Sequence, residues 1–242
     1  MKKPLVFPRM ENYDQLEEFR KQALPKIAIR HSGSAEPYAG VTNHIMVCCG
    51  TGCTASGAKL VTEAFERELD RVGLTKSVDL VITGCHGFCE SGPLVRIEPQ
   101  GWLYCRVKPE DCKEIVEETI VNGRHIERLA YTKGDTVYKK QAEIPFSEKH
   151  TRLVRDHCGH IDATSIREYI AVGGYQALEK ALFQMDGDAI VAEITDSNLR
   201  GRGGGGFAAG RKWQQVRRQP EGQKYVVCNG DEGDPGAFMD RS

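Results

Sequence analysis

A chain of 242 residues with 33 Lys and Arg against 34 Asp and Glu has a formal charge of −1, which leaves room for one large or two modest domains and no basic excess to attract nucleic acid. Its longest apolar stretches, such as Val78 to Ile82 and Ala189 to Ala192, fall far short of the roughly 20 residues a membrane-crossing helix needs. Nine cysteines, an odd number, and a Met1-Lys2-Lys3 start that runs into a proline-broken polar stretch argue against a secreted disulfide framework and for a soluble chain in a reducing, cytoplasmic compartment.

Residues 11 to 24 carry Tyr13, Leu16 and Phe19 at helical spacing, and Pro25 is expected to end that helix before a flexible run at His31-Ser32-Gly33-Ser34. Residues 1–42 therefore read as a helical appendage and linker. Between Asn43 and Gly123 the order is strand, cysteine loop, helix, strand, cysteine loop, strand, strand, helix. The first helix is expected to place Leu60, Val61, Ala64, Phe65 and Leu69 on one face. The second, opening at Pro109 and closing at Gly123, does the same with Ile115, Val116 and Ile120. Leu94 to Ile97 and Leu103 to Val107 straddle Gln100-Gly101, a hairpin signal. Such a β-α-β then β-β-α order is the thioredoxin-like arrangement, predicted here for residues 43–125 as an α/β (α+β overall) domain. Residues 126–150 show no sustained period and read as a linker to a second domain, 151–242.

The strongest chemical signal lies in the two cysteine loops. Cys48-Cys49-Gly50-Thr51-Gly52-Cys53 and Gly84-Cys85-His86-Gly87-Phe88-Cys89 each follow a short apolar run, so each pair sits in a loop at a strand end. Cys48 and Cys53 have four residues between them, Cys85 and Cys89 three, a spacing that suits thiolates caging a [2Fe–2S] cluster. Glycine there removes bulk and lets backbone N–H groups turn toward sulfur. Zinc competes, although it favours tighter C-x2-C knuckles. Cys49 is also at a permissible distance from Cys53, so spacing alone leaves the first ligand open. With four cysteines at hand, His86 reads as a residue that tunes or shields the cluster rather than a ligand.

A second signal is Arg200-Gly201-Arg202-Gly203-Gly204-Gly205-Gly206-Phe207, which satisfies G-x-G-x-x-G. A dinucleotide fingerprint needs a strand before it, whereas Ile190, Val191, Ile194 and Leu199 recur as one helix face. The loop reads instead as a glycine turn between helices, the second starting near Ala208, with Arg202 and Lys212 supplying positive charge for a phosphate or ribityl chain; the bland alternative is a flexible surface turn. Beyond Trp213 and Val216, Lys224 to Cys228 reads as a short strand with Cys228 a core thiol. It runs into Asn229-Gly230-Asp231-Glu232-Gly233-Asp234-Pro235-Gly236, placed where α/β sheets bind ligands or, equally, an acidic solvent turn.

These residues resemble a known family. Leu199 to Phe207, Lys212-Trp213 and Val227 to Arg241 look like the flavin and NADH site of the 51 kDa-type flavoprotein subunit found in respiratory complex I and in NAD-linked, often electron-bifurcating, hydrogenases and formate dehydrogenases. Residues 43 to 125, through Val47-Cys48, Gly50-Thr51-Gly52-Cys53, Gly84-Cys85, Cys89-Glu90, Gly92-Pro93-Leu94 and Val107 to Asp111, resemble the 24 kDa-type thioredoxin-like [2Fe–2S] ferredoxin, fused ahead of the flavin domain as in hydrogenase-type flavoproteins.

The resemblance implies that Cys48, Cys53, Cys85 and Cys89 ligate the cluster, which favours Cys48 over Cys49. It implies that Gly201, Arg202, Gly203, Gly204 and Gly206 form an FMN-facing loop and that Phe207 stacks near the nicotinamide. Lys212, Asn229, Asp231 and Glu232 would contact FMN or order the hydride acceptor, with Glu232 the candidate catalytic residue. Asp234 stands where members often have glutamate. Gly205 replaces a usual alanine and Ala208-Ala209 a usual Pro-Thr, without loss of a polar contact. The implied activity passes electrons between NAD(P)H, FMN and the cluster, within a complex that includes other iron–sulfur, hydrogenase or formate dehydrogenase subunits. The alternative is a stand-alone ferredoxin relay with a non-functional flavin-domain remnant. Each βαβ unit of a parallel sheet takes about 30 residues, so the 51 kDa-type FMN-binding domain is expected to be present only as its incomplete N-terminal part, in a fragment or a piece of a split subunit.

Overall fold

The computed structural model describes residues 11–32, 38–153, 156–201, 205–223 and 225–228, and they fall into two compact units that meet in sequence at Gly173 and Gly174. In the first unit the order is α1 (Tyr13–Ser32), β1 (Asn43–Cys48), α2 (Thr51–Ala55), α3 (Ala58–Arg71), β2 (Val78–Thr83), β3 (Val95–Glu98), β4 (Trp102–Tyr104), α4 (Asp111–Glu114), β5 (Tyr131–Lys133), β6 (Thr136–Tyr138), α5 (Pro145–Glu148) and α6 (Ile166–Ala171). α4 runs on into a wider π-helical turn, Ile115–Val121. The sheet order is β2-β1-β3-β4. β1 pairs in parallel with β2, from Asn43 opposite Val78 to Cys48 opposite Thr83, and antiparallel with β3, which continues antiparallel to β4.

Side chains alternate across this sheet. Ile45, Val47, Val95 and Ile97 enter the hydrophobic core with Val61, Ala64, Phe65 and Leu69 of α3 and with Ile115 and Val116. Leu60 departs from the expected stripe and is 57% exposed, because it lies one position, about 100° of helical rotation, off the row formed by Val61, Phe65 and Leu69.

The alternate positions on these strands, His44, Met46, Arg96 and Glu98, are also buried. Here Arg30 of α1 makes paired contacts with Glu168 of α6, one of them 3.0 Å, and its Nε donates to His44 Nδ1 at 2.6 Å. Arg96 pairs with Glu98 at 2.7 Å. This layer explains why α1 continues through Pro25 instead of stopping there. Proline removes one backbone hydrogen bond, but the following turn buries Ile27, Ile29 and Arg30.

Residues 126–150, expected as a linker, bury Ile126, Leu129 and Ile144 in the core. Cys105 N–H donates to Leu129 O and Leu103 N–H to Lys139 O, both at 2.7 Å, so this segment covers the edge of β4 that would otherwise stand open. No helix among the described residues is long and apolar enough to cross a membrane.

The second unit holds α7 (Gln176–Phe183), α8 (Gly187–Asp196) and α9 (Ala209–Arg217). α9 packs on α8 at Gly210, where an added Cβ would fall 2.4 Å from Thr195 Oγ1. Tyr225 to Cys228, expected in a strand, are in none: Tyr225, Val226 and Val227 are 77%, 102% and 84% exposed, and Cys228 is exposed rather than a core thiol. A strand needs a neighbour to take its backbone hydrogen bonds, and no neighbour lies beside this one among the described residues.

His44 generates a pH prediction. Burial, with Arg30 adding to it, lowers its pKa from 6.5 to about 4, in keeping with the neutral Nδ1 that accepts from Arg30. A histidine held neutral in the fold subtracts stability as pH falls below its unfolded value, until the folded value is reached. Between pH 7 and 5 it is expected to cost about 2 kcal/mol. Urea unfolding at both pH values should show that extra loss in the wild type and not in His44→Gln, and equal losses in the two proteins would contradict it.

Candidate functional site

Parallel, in-register pairing of β1 with β2 brings both cysteine loops to one end of the sheet. Cys48 ends β1 opposite Thr83, two residues before Cys85, and Cys49 N–H donates to Thr83 O at 3.0 Å. Cys53 lies in the short helix α2, and Cys89 opens a single 3-10 turn, Cys89–Ser91. Cys48 and Cys53 are buried, Cys85 is half-buried and Cys89 exposed, so the group runs from the core to the surface.

The thiols interact in sequence. Cys48 shares hydrogen bonds with Cys53 and Cys85, and Cys85 Sγ lies 3.9 Å from Cys89 Sγ. Sharing its proton with Cys53 raises Cys48 to about 11, and the bond with Cys48 raises Cys85 to about 12. The counterpart is Cys53, which the bond from Cys48 lowers. Four thiols this close cannot all ionise unless a cation takes the place of their protons.

Glycine makes the crowding possible. An added Cβ at Gly50 would lie 2.8 Å from Cys85 Cβ, at Gly52 3.2 Å from Cys89 Cβ, and at Gly92 2.7 Å from Cys53 Sγ. Backbone amides reach the sulfurs as well: Gly87 N–H donates to Cys85 Sγ at 3.3 Å, Leu94 N–H to Cys53, and His86 and Gly50 N–H to Cys48. Among the described residues no group of three or more His, Cys, Asp or Glu is placed to hold a metal ion. A row of sulfurs with amide donors fits a binuclear iron–sulfur group, whose thiolates are divided between two irons.

Cys49 is turned to α3 instead, its Sγ 4.0 Å from Thr62 Oγ1, and burial raises its pKa. Cys105 and Cys112 are core thiols that burial pushes up to about 12. His86 is buried, its Nε2 2.7 Å from Thr83 Oγ1, and burial holds its pKa well below 6.5.

In the second unit, the glycine turn is pinched at its base. Arg200 and Ala208 form an antiparallel bridge, Gly201 N–H donates to Phe207 O at 2.9 Å and Ala209 N–H to Leu199 O at 2.8 Å, and Arg200 Nη1 donates to Gly206 O at 3.3 Å. Gly206 has φ +57°, and among the described residues nothing lies within 4 Å of a Cβ built at Gly205 or Gly206. Phe207 is partly exposed, with Arg211 and Lys212, from the first turn of α9, 5.5 and 5.7 Å from its ring centroid. A glycine backbone beside two cations suits the phosphate end of a flavin nucleotide. Arg202, Gly203, Gly204, Asn229, Asp231, Glu232 and Asp234 lie outside the described residues.

The sheet order and the cysteine loops at the carboxyl ends of its parallel strands define a thioredoxin-like domain with a cysteine-rich site. Residues 36–120 match the thioredoxin-like [2Fe-2S] ferredoxin family, and residues 194–242 match the Nuo51 FMN-binding domain. The chain thus carries a thioredoxin-like [2Fe–2S] ferredoxin domain followed by residues of a Nuo51 FMN-binding domain.

Among curated relatives, NADP-reducing hydrogenase subunit HndC of Solidesulfovibrio fructosivorans is 46% identical over 95 residues, 39% of this chain and 19% of that one. NAD-reducing hydrogenase HoxS subunit alpha of Cupriavidus necator is 31% identical over 206 residues, 81% of this chain and 31% of that one. The solved thioredoxin-like [2Fe-2S] ferredoxin from Aquifex aeolicus is 32% identical, with a TM-score of 0.36, over 38% of this chain and 99% of that one. The chain spans less than a third of the length of either curated relative.

Sequence reasoning missed Gln141 and Arg152, which both donate to the His86 carbonyl, at 3.0 and 2.9 Å. No spacing rule marks a residue that reaches its partner only through the tertiary fold.

The geometry separates two neighbouring cysteines. After anaerobic reconstitution, Cys48→Ser is expected to abolish the [2Fe–2S] EPR signal of the dithionite-reduced chain and Cys49→Ser to leave it largely intact; the opposite pattern would reverse the ligand assignment. Gly92→Ala, whose methyl group would press on Cys53, should fold with unchanged far-UV circular dichroism yet bind several-fold less iron.

Proposed function

We propose that this chain is an electron-transfer piece of an NAD(P)H-linked flavin and iron–sulfur oxidoreductase of the NADH dehydrogenase, hydrogenase or formate dehydrogenase type. It works in the cytoplasm together with the other subunits of such a complex. The observation that carries this reading is the convergence of Cys48, Cys53, Cys85 and Cys89 in a glycine-lined site at the surface-reaching end of the sheet. When bound, flavin and a [2Fe–2S] cluster supply the step between paired electrons from a nicotinamide and single electrons in a relay.

In this reading the chain's own residues position and insulate. Cys48 and Cys53, both buried, and Cys85 and Cys89, nearer solvent, would hold the cluster, which would leave a short path for an electron to a partner. The amides of Gly50, His86, Gly87 and Leu94 favour the reduced, more negative state. Gly201, Gly203, Gly204 and Gly206, with Arg202, let FMN approach the backbone, Phe207 packs beside the nicotinamide, and Lys212 balances phosphate charge. Asn229, Asp231, Glu232 and Asp234 bind the flavin and nicotinamide, and Glu232 orders the hydride acceptor.

Metal and flavin analysis of the anaerobically reconstituted chain tests this. About two irons per chain, the number a [2Fe–2S] centre holds, support the ferredoxin role; a colourless, zinc-containing protein would overturn it. Stoichiometric FMN would extend the flavin role to this chain by itself, whereas iron without FMN favours a relay module. In the assembled complex, Glu232→Gln is expected to slow flavin reduction by NAD(P)H without lowering the thermal midpoint, and unchanged reduction kinetics would remove Glu232 from the site.

A further inference from the structure

The loop between Cys85 and Cys89 is held from outside the ferredoxin-matched residues 36–120. The His86 carbonyl accepts from Gln141 Nε2 at 3.0 Å and from Arg152 Nη2 at 2.9 Å. The His86 ring sits so close to Gly159 that a Cβ there would fall 2.9 Å from Cδ2, and Phe88 stacks on Phe146 with centroids 5.9 Å apart. On the other side of the same peptide unit, Gly87 N–H donates to Cys85 Sγ at 3.3 Å.

The His86–Gly87 bond is not among the cis peptides, and in a trans unit C=O and N–H point in opposite directions. Fixing the carbonyl toward Gln141 and Arg152 therefore aims the amide at the sulfur. Gly87 has φ +82°, a conformation glycine adopts without the steric penalty of a side chain. A Cβ at Gly87 would also lie 3.6 Å from Arg152 Nη2, so the guanidinium lies close to that peptide.

We propose that Arg152, assisted by Gln141, is a positioning residue that raises the reduction potential of the cluster by acting through the His86–Gly87 peptide on Cys85. The inference rests on the ferredoxin reading above. A cationic donor on the carbonyl polarises the peptide and strengthens the N–H donor at its other end. A stronger N–H to sulfur bond favours the form in which sulfur carries more negative charge, which is the reduced cluster. The positive charge of Arg152 acts in the same direction through space.

The test is an EPR-monitored redox titration of the reconstituted 242-residue chain as wild type, Arg152→Ala, Arg152→Lys, Gln141→Ala and Arg124→Ala, the last an exposed cation paired with Glu118. Arg152→Ala is expected to lower the midpoint by an amount equal to a tenfold change in the oxidised-to-reduced ratio, about 59 mV for one electron. Arg152→Lys should restore part of that shift, Gln141→Ala should give a smaller one of the same sign, and Arg124→Ala none. An unmoved midpoint in Arg152→Ala, or an equal fall in Arg124→Ala, overturns the proposal. Should Arg152→Ala fail to retain the cluster, Gln141→Ala decides, a fall supporting the proposal and no change overturning it. A wild type that takes up no iron defeats the ferredoxin reading itself, a result distinct from an unmoved midpoint in a loaded variant.

Discussion

The site depends on one constraint, the in-register parallel pairing of β1 with β2. Parallel strands end at the same edge of a sheet, so two loops that are more than thirty residues apart in sequence, by their positions at Cys48 and Cys85, leave the sheet side by side. Slipping that register by one residue would turn every side chain of β1 to the opposite face. Ile45 and Val47 would then meet the ionic layer, and Arg30 would lose His44. The apolar core on one face and the Arg30–Glu168 pair on the other thus fix the position of the thiols from both sides.

The two faces do this by different physics. Burial of Phe65, Ile97 and Leu103 supplies non-directional stabilisation in proportion to apolar area. A buried ion pair such as Arg30 with Glu168 adds little net stability over an apolar substitute, because desolvation offsets attraction. Its geometry is specific, however. The Glu168 carboxylate takes both Arg30 contacts and the Asp162 N–H at 2.6 Å, and Arg30 also reaches His160 O at 3.2 Å. Those partners fix how α1 and α6 cover the sheet.

What was legible in the sequence was local. The cysteine spacing, the glycines between and beside the thiols and the strand order follow from short periods and turn chemistry, and the structure has all of them. The misreadings involve tertiary contacts. Pro25 looked like a stop because the burial of Ile27 and Arg30 is invisible in a window of a few residues, and residues 126–150 looked like a linker because their aperiodic backbone takes its order from the edge of β4. Tyr225 to Val227 illustrate the converse, since β-branched and aromatic residues announce a strand whose existence depends on a neighbour. Leu60 shows that an apolar residue next to a buried row need not join it.

Four crowded thiols constrain how the site is assembled. Protonated, the sulfurs share hydrogen bonds that hold Cys48 and Cys85 above an ordinary thiol, so a metal held by them would have to displace those protons. The glycines at 50, 52 and 92 leave no side chain that could fill the space between the sulfurs. Rigidity therefore has to come from the flanks: from β1 and β2 beneath, and from Gln141, Phe146, Arg152 and Gly159 against the second loop. Uptake of iron by these four sulfurs would then be a local exchange of protons for metal within a framework already set by the sheet, with the flanking contacts holding the second loop in place.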